Sequence, residues 1–379
     1  MGENARVVEK SFSGRGAVDT RTVLSAESEA ALRQFSLERV TAYGVAYADA
    51  IELRGRVTRG EDWQAVATDL AATALSPPEQ LVAVETIQTR SNRLFRASAL
   101  TRMRQMMMLT DTDERREIFA TSATLFAEAV LLKGDCERAL IPSAAGPMAG
   151  WFHAAKGTAI GATIVIGGVE GWAMDFAPLG VALAARGVSA LLLDGPGQGE
   201  TRLQHRHHLS NDWPQAYRAA VNHLVDRTGG VPIGFIGNSL GGTVAVKYAS
   251  LDDRIAACCD NGGPLDPGRA RGNATFFRKM VAHCGGVADD QAYDIWRTIQ
   301  PPGADAPLAG PLLVVHGGLD PLIPYADAAA IHENTIASDK LMVVFSDGDH
   351  CVYNHADDKH DMIADWMADR LGRAIGQPC

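Results

Sequence analysis

Apolar positions along the chain follow two rhythms. From about Ser25 to Leu132 they recur at spacings of three and four, with few glycines and no β-branched runs, the pattern of amphipathic helices. Ala30–Leu53, Glu61–Leu75, Glu79–Met108 and Asp113–Leu131 carry this period. The breaks between them are Gly60-Glu61-Asp62, Ser76-Pro77-Pro78 and Thr110-Asp111-Thr112-Asp113, which combine helix stops with N-cap residues. Five arginines of the third segment (Arg90, Arg93, Arg96, Arg102, Arg104) mark a solvated or interdomain face, and Met106–Met108 reads as adaptable packing.

From Ala139 onward short continuous apolar runs alternate with helical stretches. The runs are Met148–His153, Thr163–Ile166, Val188–Leu193, Ile233–Ile236, Ile255–Cys259, Leu312–Val315 and Met342–Phe345. Continuous rather than alternating apolar character predicts strands buried on both faces, as in a parallel sheet. Helices are expected at Phe176–Arg186, Trp213–Arg227, Leu240–Ser250, Ala326–Ala337 and Asp358–Leu371. The fold class is therefore α/β, a doubly wound and mostly parallel sheet behind an all-helical N-terminal region. Between Asn261 and Gly310 runs a long connection with helical pieces, the kind of excursion that forms lids or substrate walls.

Composition narrows the function. The 379 residues carry 35 Lys+Arg against 45 Asp+Glu, a net charge of −10, which argues against nucleic acid as a partner. No run of about 18 apolar residues occurs, so no membrane span is expected, and Met1–Val18 lacks the apolar stretch of a secretory signal. The six cysteines are scattered without a C-x-x-C pair, which fits reduced thiols and a cytoplasmic location. There is no P-loop and no strand-linked dinucleotide fingerprint, so no cofactor is expected. Gln204-His205-Arg206-His207-His208 is no metal motif, because adjacent rings diverge and no Cys or acidic cluster supports them.

The chemistry is carried by three segments. Ile233–Ile236 is followed by Gly237-Asn238-Ser239-Leu240-Gly241-Gly242 and then a helical stretch. This is G-x-S-x-G in the strand, turn, helix context that lifts a serine from the sheet edge, with Ser239 as nucleophile at a helix N-terminus. A serine hydroxyl needs a base, and the base an orienting carboxylate. Asp320, after the run Leu312–Val315, is the best orienter, with Asp327 a weaker choice. His350, after Met342–Phe345, is the best base, with His355 the runner-up. His316 ends a strand and reads as structural. Donors for a developing oxyanion are expected from the backbone N–H of Leu240 and, after the strand Thr163–Ile166, of Val169 in the loop Gly167–Trp172. Glu170 and Trp172 of that loop are the candidate substrate-binding residues; a solvated loop carboxylate is the competing reading for Glu170.

With Ser239, Asp320 and His350 in this order, the chain resembles an α/β-hydrolase. More narrowly it resembles the family of 2,6-dihydroxypseudooxynicotine hydrolase and the fungal polyketide-shortening hydrolases. The resemblance rests on the helical N-terminal region, Gly167-Gly168-Val169-Glu170, Asp194-Gly195-Pro196-Gly197-Gln198-Gly199-Glu200, the Gly237–Gly242 elbow, and Gly348-Asp349-His350-Cys351 with Asn354. It implies a C–C bond hydrolase or esterase whose helical region caps the catalytic serine, and a substrate-orienting or protonating role for Glu170. The turn Asp194–Glu200 itself reads as shaping the site rather than as chemistry.

The expected organisation is an N-terminal extension (1–24), a helical cap (25–135) and a catalytic domain (136–379) with a lid-like excursion (261–310). The expected activity is serine-dependent hydrolysis of a small hydrophobic or aromatic carbonyl compound, at a C–C bond of β-diketone or aryl ketone type or at an ester. A lyase or acyltransferase acting on a polyketide-like intermediate with the same residues is the alternative, and a ligand-binding protein on a hydrolase fold the non-enzymatic one. The helical layer could also supply a homodimer surface.

Overall fold

The computed structural model describes residues 24–301 and 308–375, so the N-terminal extension falls almost wholly outside the described residues, as does Cys379. Two compact units divide the chain. One comprises residues up to Met107 together with Thr121–Lys133, and the other Met108–Ala120 together with residues from Gly134 on.

The first unit is helical. The single segment expected over Ala30–Leu53 breaks into Ala26–Gln34, Leu37–Ala42 and Tyr47–Thr58. The breaks have local causes. Ser36 caps the second helix through its hydroxyl, accepting from Arg39 N–H at 3.1 Å, and Gly44 turns the chain at φ +87°. Likewise Glu79–Met108 divides into Glu79–Val82 and Ile87–Arg104, the latter capped by Thr86. Trp63, beginning the helix Trp63–Leu75, donates its indole N–H to Met103 O at 2.8 Å. The arginine face is not uniformly solvated. Arg102 is buried, donating to Tyr43 O at 2.9 Å and Ser98 Oγ at 3.1 Å, and Arg96 pairs with the buried Asp49. A buried guanidinium survives when it is hydrogen-bonded, whereas spacing alone records only that the residue is charged.

Among the described residues the second unit is built on eight strands: β1 (Glu137–Ile141), β2 (Met148–His153), β3 (Gly161–Ile166), β4 (Val188–Leu193), β5 (Ile233–Asn238), β6 (Ile255–Asn261), β7 (Leu312–Gly317) and β8 (Lys340–Phe345). Their order is β1-β2-β4-β3-β5-β6-β7-β8, with β2 antiparallel to both neighbours and all later pairings parallel. The interior strands β3, β4, β5 and β7 are buried at every position, as continuous apolar runs require. β1 is an addition to the seven expected strands. It is an edge strand with alternating burial that begins Glu137-Arg138, so it offers no apolar run to recognise. Helices Ala177–Ala185, Trp213–Thr228, Leu240–Ala249, Tyr325–Asn334 and Ala356–Ala374 alternate with the strands.

Met108–Ala120 clusters with the sheet unit, where Asp111 pairs with Arg202. Arg202, 2% exposed, donates to both oxygens of Asp111, the shortest contact being 2.6 Å. Arg115 Nη1 lies 3.5 Å from the same carboxylate. Phe119 meets Trp172 edge-on at 6.0 Å between ring centroids. After β6 the chain enters the helices Ala274–His283 and Asp289–Arg297 before returning to β7.

Candidate active site

The parallel topology carries the ends of β3, β5, β6 and β7 and the segment after β8 to one edge of the sheet, where the chemistry-bearing side chains collect. At the end of β5 the backbone turns so sharply that Ser239 adopts φ +54°, ψ −133°, a conformation disfavoured for a residue with a side chain. Gly237 makes the turn feasible: a Cβ there would sit 1.9 Å from Gly241 O. Helix Leu240–Ala249 starts at once, so Ser239 occupies its N-cap with the helix dipole behind it.

His350 opens a short 3₁₀ segment after β8, anchored by Asp349, whose carboxylate accepts from Tyr353 N–H. Its Nε2 lies 3.0 Å from Ser239 Oγ and its Nδ1 2.8 Å from Asp320 Oδ2. Asp320 Oδ1 accepts from the backbone N–H groups of Leu322 and Ile323 at 2.8 and 2.9 Å. Burial lowers the pKa of the imidazole, but neighbouring Cys351 and the Asp320 carboxylate outweigh it and raise it above the usual histidine value. Burial likewise pushes the Asp320 carboxyl up, and its bonds to His350 and the two amides bring it below the usual range. A hydroxyl, an imidazole and a carboxylate in this sequence can relay a proton away from the serine oxygen.

The alternatives are committed elsewhere. Asp327 accepts from Arg269 Nη1 at 2.8 Å and from Leu265 N–H at 3.0 Å. His355 pairs with Asp347 at 2.9 Å. His316 is buried, with a lowered pKa from desolvation.

The loop after β3 runs against the serine. Gly168 approaches so closely that a Cβ on it would fall 2.7 Å from Ser239 Cβ and 3.0 Å from Oγ. Val169 follows; its carbonyl accepts from His283 Nε2 at 3.1 Å, which assigns the proton to that nitrogen. Burial, with Arg202 nearby, depresses the His283 pKa to about 3 and keeps the ring neutral. Glu170 is 4% exposed with Oε1 3.2 Å from Lys279 Nζ, so its carboxylate is paired rather than solvated. Trp172 is buried against Phe119 and precedes a 3₁₀ turn, its backbone N–H donating to Asp175 Oδ2 at 2.9 Å.

A cleft of about 200 Å³ opens over Ser239, Leu240 and His350. Its walls are mainly apolar, from Pro264, Pro267, Phe276, Leu322 and Ile323, with Asp266, Arg269 and Asn273 as polar points. Among the described residues no group of three His, Cys, Asp or Glu side chains is arranged to hold a metal ion.

This geometry has relatives. A family model described as serine aminopeptidase, S33, matches residues 158–259, the stretch from β3 to β6 that carries the elbow. The 2,6-dihydropseudooxynicotine hydrolase of Paenarthrobacter nicotinovorans is 26% identical over 339 residues, covering 86% of this chain and 89% of that protein. The crystal structure of 2,6-dihydroxy-pseudo-oxynicotine hydrolase superposes with a TM-score of 0.76 at 25% identity, over 89% of this chain and 96% of that one. The chain has the α/β-hydrolase fold. AbyA5 shares the fold of this hydrolase at 18% identity, with a TM-score of 0.67 over 90% of this chain and 99% of its own.

Several residues that organise the site of the hydrolase carry no motif of their own. Lys279 and His283 lie one turn apart on Ala274–His283, so both reach the loop after β3. Asn261 donates to Asn238 Oδ1 at 2.7 Å and to Cys351 O at 3.2 Å, tying β5, β6 and the histidine segment together. Lys359, buried, donates to the same Cys351 carbonyl at 2.9 Å. The lysine and histidine spacing was readable; their target was not.

Proposed function

We propose that this α/β-hydrolase cleaves a small hydrophobic or aromatic carbonyl compound through an acyl-enzyme on Ser239, at a C–C bond of β-diketone or aryl ketone type or at an ester. The observation that carries the reading is the continuous hydrogen-bonded series Ser239, His350, Asp320 at 3.0 and 2.8 Å beside an apolar cleft. His350 takes the hydroxyl proton as Ser239 Oγ adds to the carbonyl carbon. The backbone N–H groups of Val169 and Leu240 receive the oxyanion. Collapse expels the leaving group, protonated by the His350 imidazolium, and His350 then draws a proton from water, whose oxygen attacks the acyl carbon and frees the acid and Ser239.

A relative named as a pseudooxynicotine hydrolase, aligned over 86% of the chain, supports a small aryl carbonyl compound as substrate class. Five free buried cysteines among the described residues support the cytoplasm as its location. The test is covalent: wild type treated with a fluorophosphonate is expected to gain one adduct, located on Ser239 by peptide mass spectrometry. Ser239→Ala is expected to lose both adduct and turnover, and full activity in that variant would remove the covalent mechanism.

A further inference from the structure

The turn Asp194–Glu200 holds the loop after β3 at both ends. Asp194, fully buried, accepts from Ala173 N–H at 2.8 Å just beyond the loop and from Glu200 N–H at 2.8 Å within its own turn. Gln198, 6% exposed, reaches the start of the loop, donating through Nε2 to Gly167 O and, at 3.0 Å, to Gly168 O. Its amide can sit only one way round. Oε1 accepts from Gly195 N–H at 2.9 Å, and the two carbonyls opposite cannot donate, so the NH2 group must face the loop.

The consequence follows from peptide geometry. In a trans peptide the C=O of one residue and the N–H of the next point in opposite directions within one rigid plane. Gly168 O and Val169 N–H belong to the same plane. A donor that pins Gly168 O therefore aims Val169 N–H the opposite way, and Gly168 is the residue that abuts Ser239. His283 pins the next carbonyl, Val169 O, so consecutive planes of the loop are held by side chains that leave their N–H groups unoccupied by those contacts. A loop with two adjacent glycines has little intrinsic preference for one orientation of that plane, so an external clamp is needed to preset it.

We propose that Gln198 is a positioning residue for the oxyanion site: its side-chain amide fixes the Gly168–Val169 peptide so that Val169 N–H is preset toward the reacting carbonyl oxygen. The proposal rests on Ser239 being the nucleophile. It gives the turn Asp194–Glu200 a role in transition-state binding, through the backbone, with no contact between Gln198 and substrate.

The test compares wild type with Gln198→Met, which keeps the length and loses the donor, and Gln198→Glu at pH 8, which keeps the shape and replaces the donor by an acceptor. Two probes are used: p-nitrophenyl acetate for turnover, and 1,1,1-trifluoro-4-phenylbutan-2-one as inhibitor. Addition of Ser239 Oγ to that ketone, with the proton passing to His350, makes a hemiketal whose oxygen occupies the oxyanion position. Both variants are expected to lose about tenfold to a hundredfold in kcat, with KM within about threefold of wild type and inhibitor affinity weakened by the same factor as kcat/KM. A role confined to packing would lower thermal stability and leave the affinity ratio unchanged. Unchanged inhibitor affinity in either folded variant overturns the proposal, whatever happens to kcat. If Gln198→Met does not fold, the isosteric Gln198→Glu carries the same comparison. Failure of the trifluoromethyl ketone to inhibit wild type, or full activity in Ser239→Ala, would instead remove the nucleophile assignment on which the proposal stands.

Discussion

Replacing Asp320 by asparagine tests the relay quantitatively. One carboxylate oxygen holds His350 Nδ1 at 2.8 Å, while the other accepts two backbone N–H groups at 2.8 and 2.9 Å. In Asp320→Asn those two donors bond only to an oxygen, so the new amide must place its C=O there and its NH2 against Nδ1. Turning the amide round would forfeit two hydrogen bonds of about 0.5–1.5 kcal/mol each and set N–H against N–H. The imidazole must then accept at Nδ1, carry its proton on Nε2, and present an N–H to Ser239 where a lone pair is needed. The equivalent change in a Ser-His-Asp triad lowers kcat by about 10⁴, which at 1.36 kcal/mol per decade is about 5.4 kcal/mol. Steady-state hydrolysis of p-nitrophenyl acetate between pH 5 and 10 measures it, with thermal unfolding as a control for the fold. The pH profile adds a signed check. Only neutral His350 accepts a proton, so wild-type activity is expected to be lost as pH falls through an imidazole pKa raised above the usual histidine value. Removing the Asp320 charge should move that acid limb to lower pH. More than a tenth of wild-type kcat, or an unmoved acid limb, would refute the assignment of Asp320 as orienter.

Two further perturbations reach other parts of the molecule. Gly168→Ala puts a Cβ 2.7 Å from Ser239 Cβ, so kcat on p-nitrophenyl acetate should fall at least about a hundredfold while chemical denaturation shows only the 1–3 kcal/mol or so typical of overpacking. Asp252 accepts from Tyr248 Oη and Arg254 Nη2, each at 2.6 Å. Burial pushes its carboxyl up, and those partners more than reverse this, bringing it down to about 2. Because the folded pKa is depressed, its contribution is present above the ordinary carboxylate range and lost as pH falls toward 2. Urea midpoints of Asp252→Asn should therefore lie below wild type at pH 7 and converge with it near pH 2.

Much of this arrangement was legible from residue order. Continuous apolar runs located seven of the eight strands; β2 to β7 are buried at nearly every position and have few polar positions to disguise them, whereas β8, expected to be buried on both faces, is a partly exposed edge strand that was found only because its run is apolar. Ser239, Asp320 and His350 were readable because each ends or follows such a run. Other features escaped for physical reasons. β1 has the alternating, charged character of an edge, and the breaks at Ser36 and Gly44 lie inside a helical period that does not register them. The ion pair between Asp111 and Arg202 spans 91 positions, so nothing local assigns Met108–Ala120 to the sheet unit. Gln198 shows the limit most clearly. Its turn was recognisable as shaping, but the carbonyls it pins lie about thirty residues earlier and become visible only when β3 and β4 pair.

Ester and carbon–carbon cleavage diverge at one proton, and that divergence offers a way to separate them. A p-nitrophenolate leaves as a stable anion, whereas a carbanion released from a 1,3-diketone is a far stronger base and departs more readily when an acid stands by. In the proposed reaction the acid formed is the His350 imidazolium, whose Nε2 lies 3.0 Å from Ser239 Oγ and whose Nδ1 lies 2.8 Å from Asp320. A ring that cannot take up the serine proton, as in Asp320→Asn, harms a carbon leaving group twice, once at attack and again at expulsion, when no imidazolium stands by. General acid catalysis contributes about 10²–10⁴, so the second penalty should be at least about tenfold. Measured side by side, Asp320→Asn is expected to lose at least tenfold more kcat/KM on 1-phenyl-1,3-butanedione than on p-nitrophenyl acetate. Equal losses would mean that the carbanion is protonated by solvent after departure, leaving His350 as base alone. A wild-type enzyme that hydrolyses the ester and leaves the diketone intact would assign the cleft to ester chemistry.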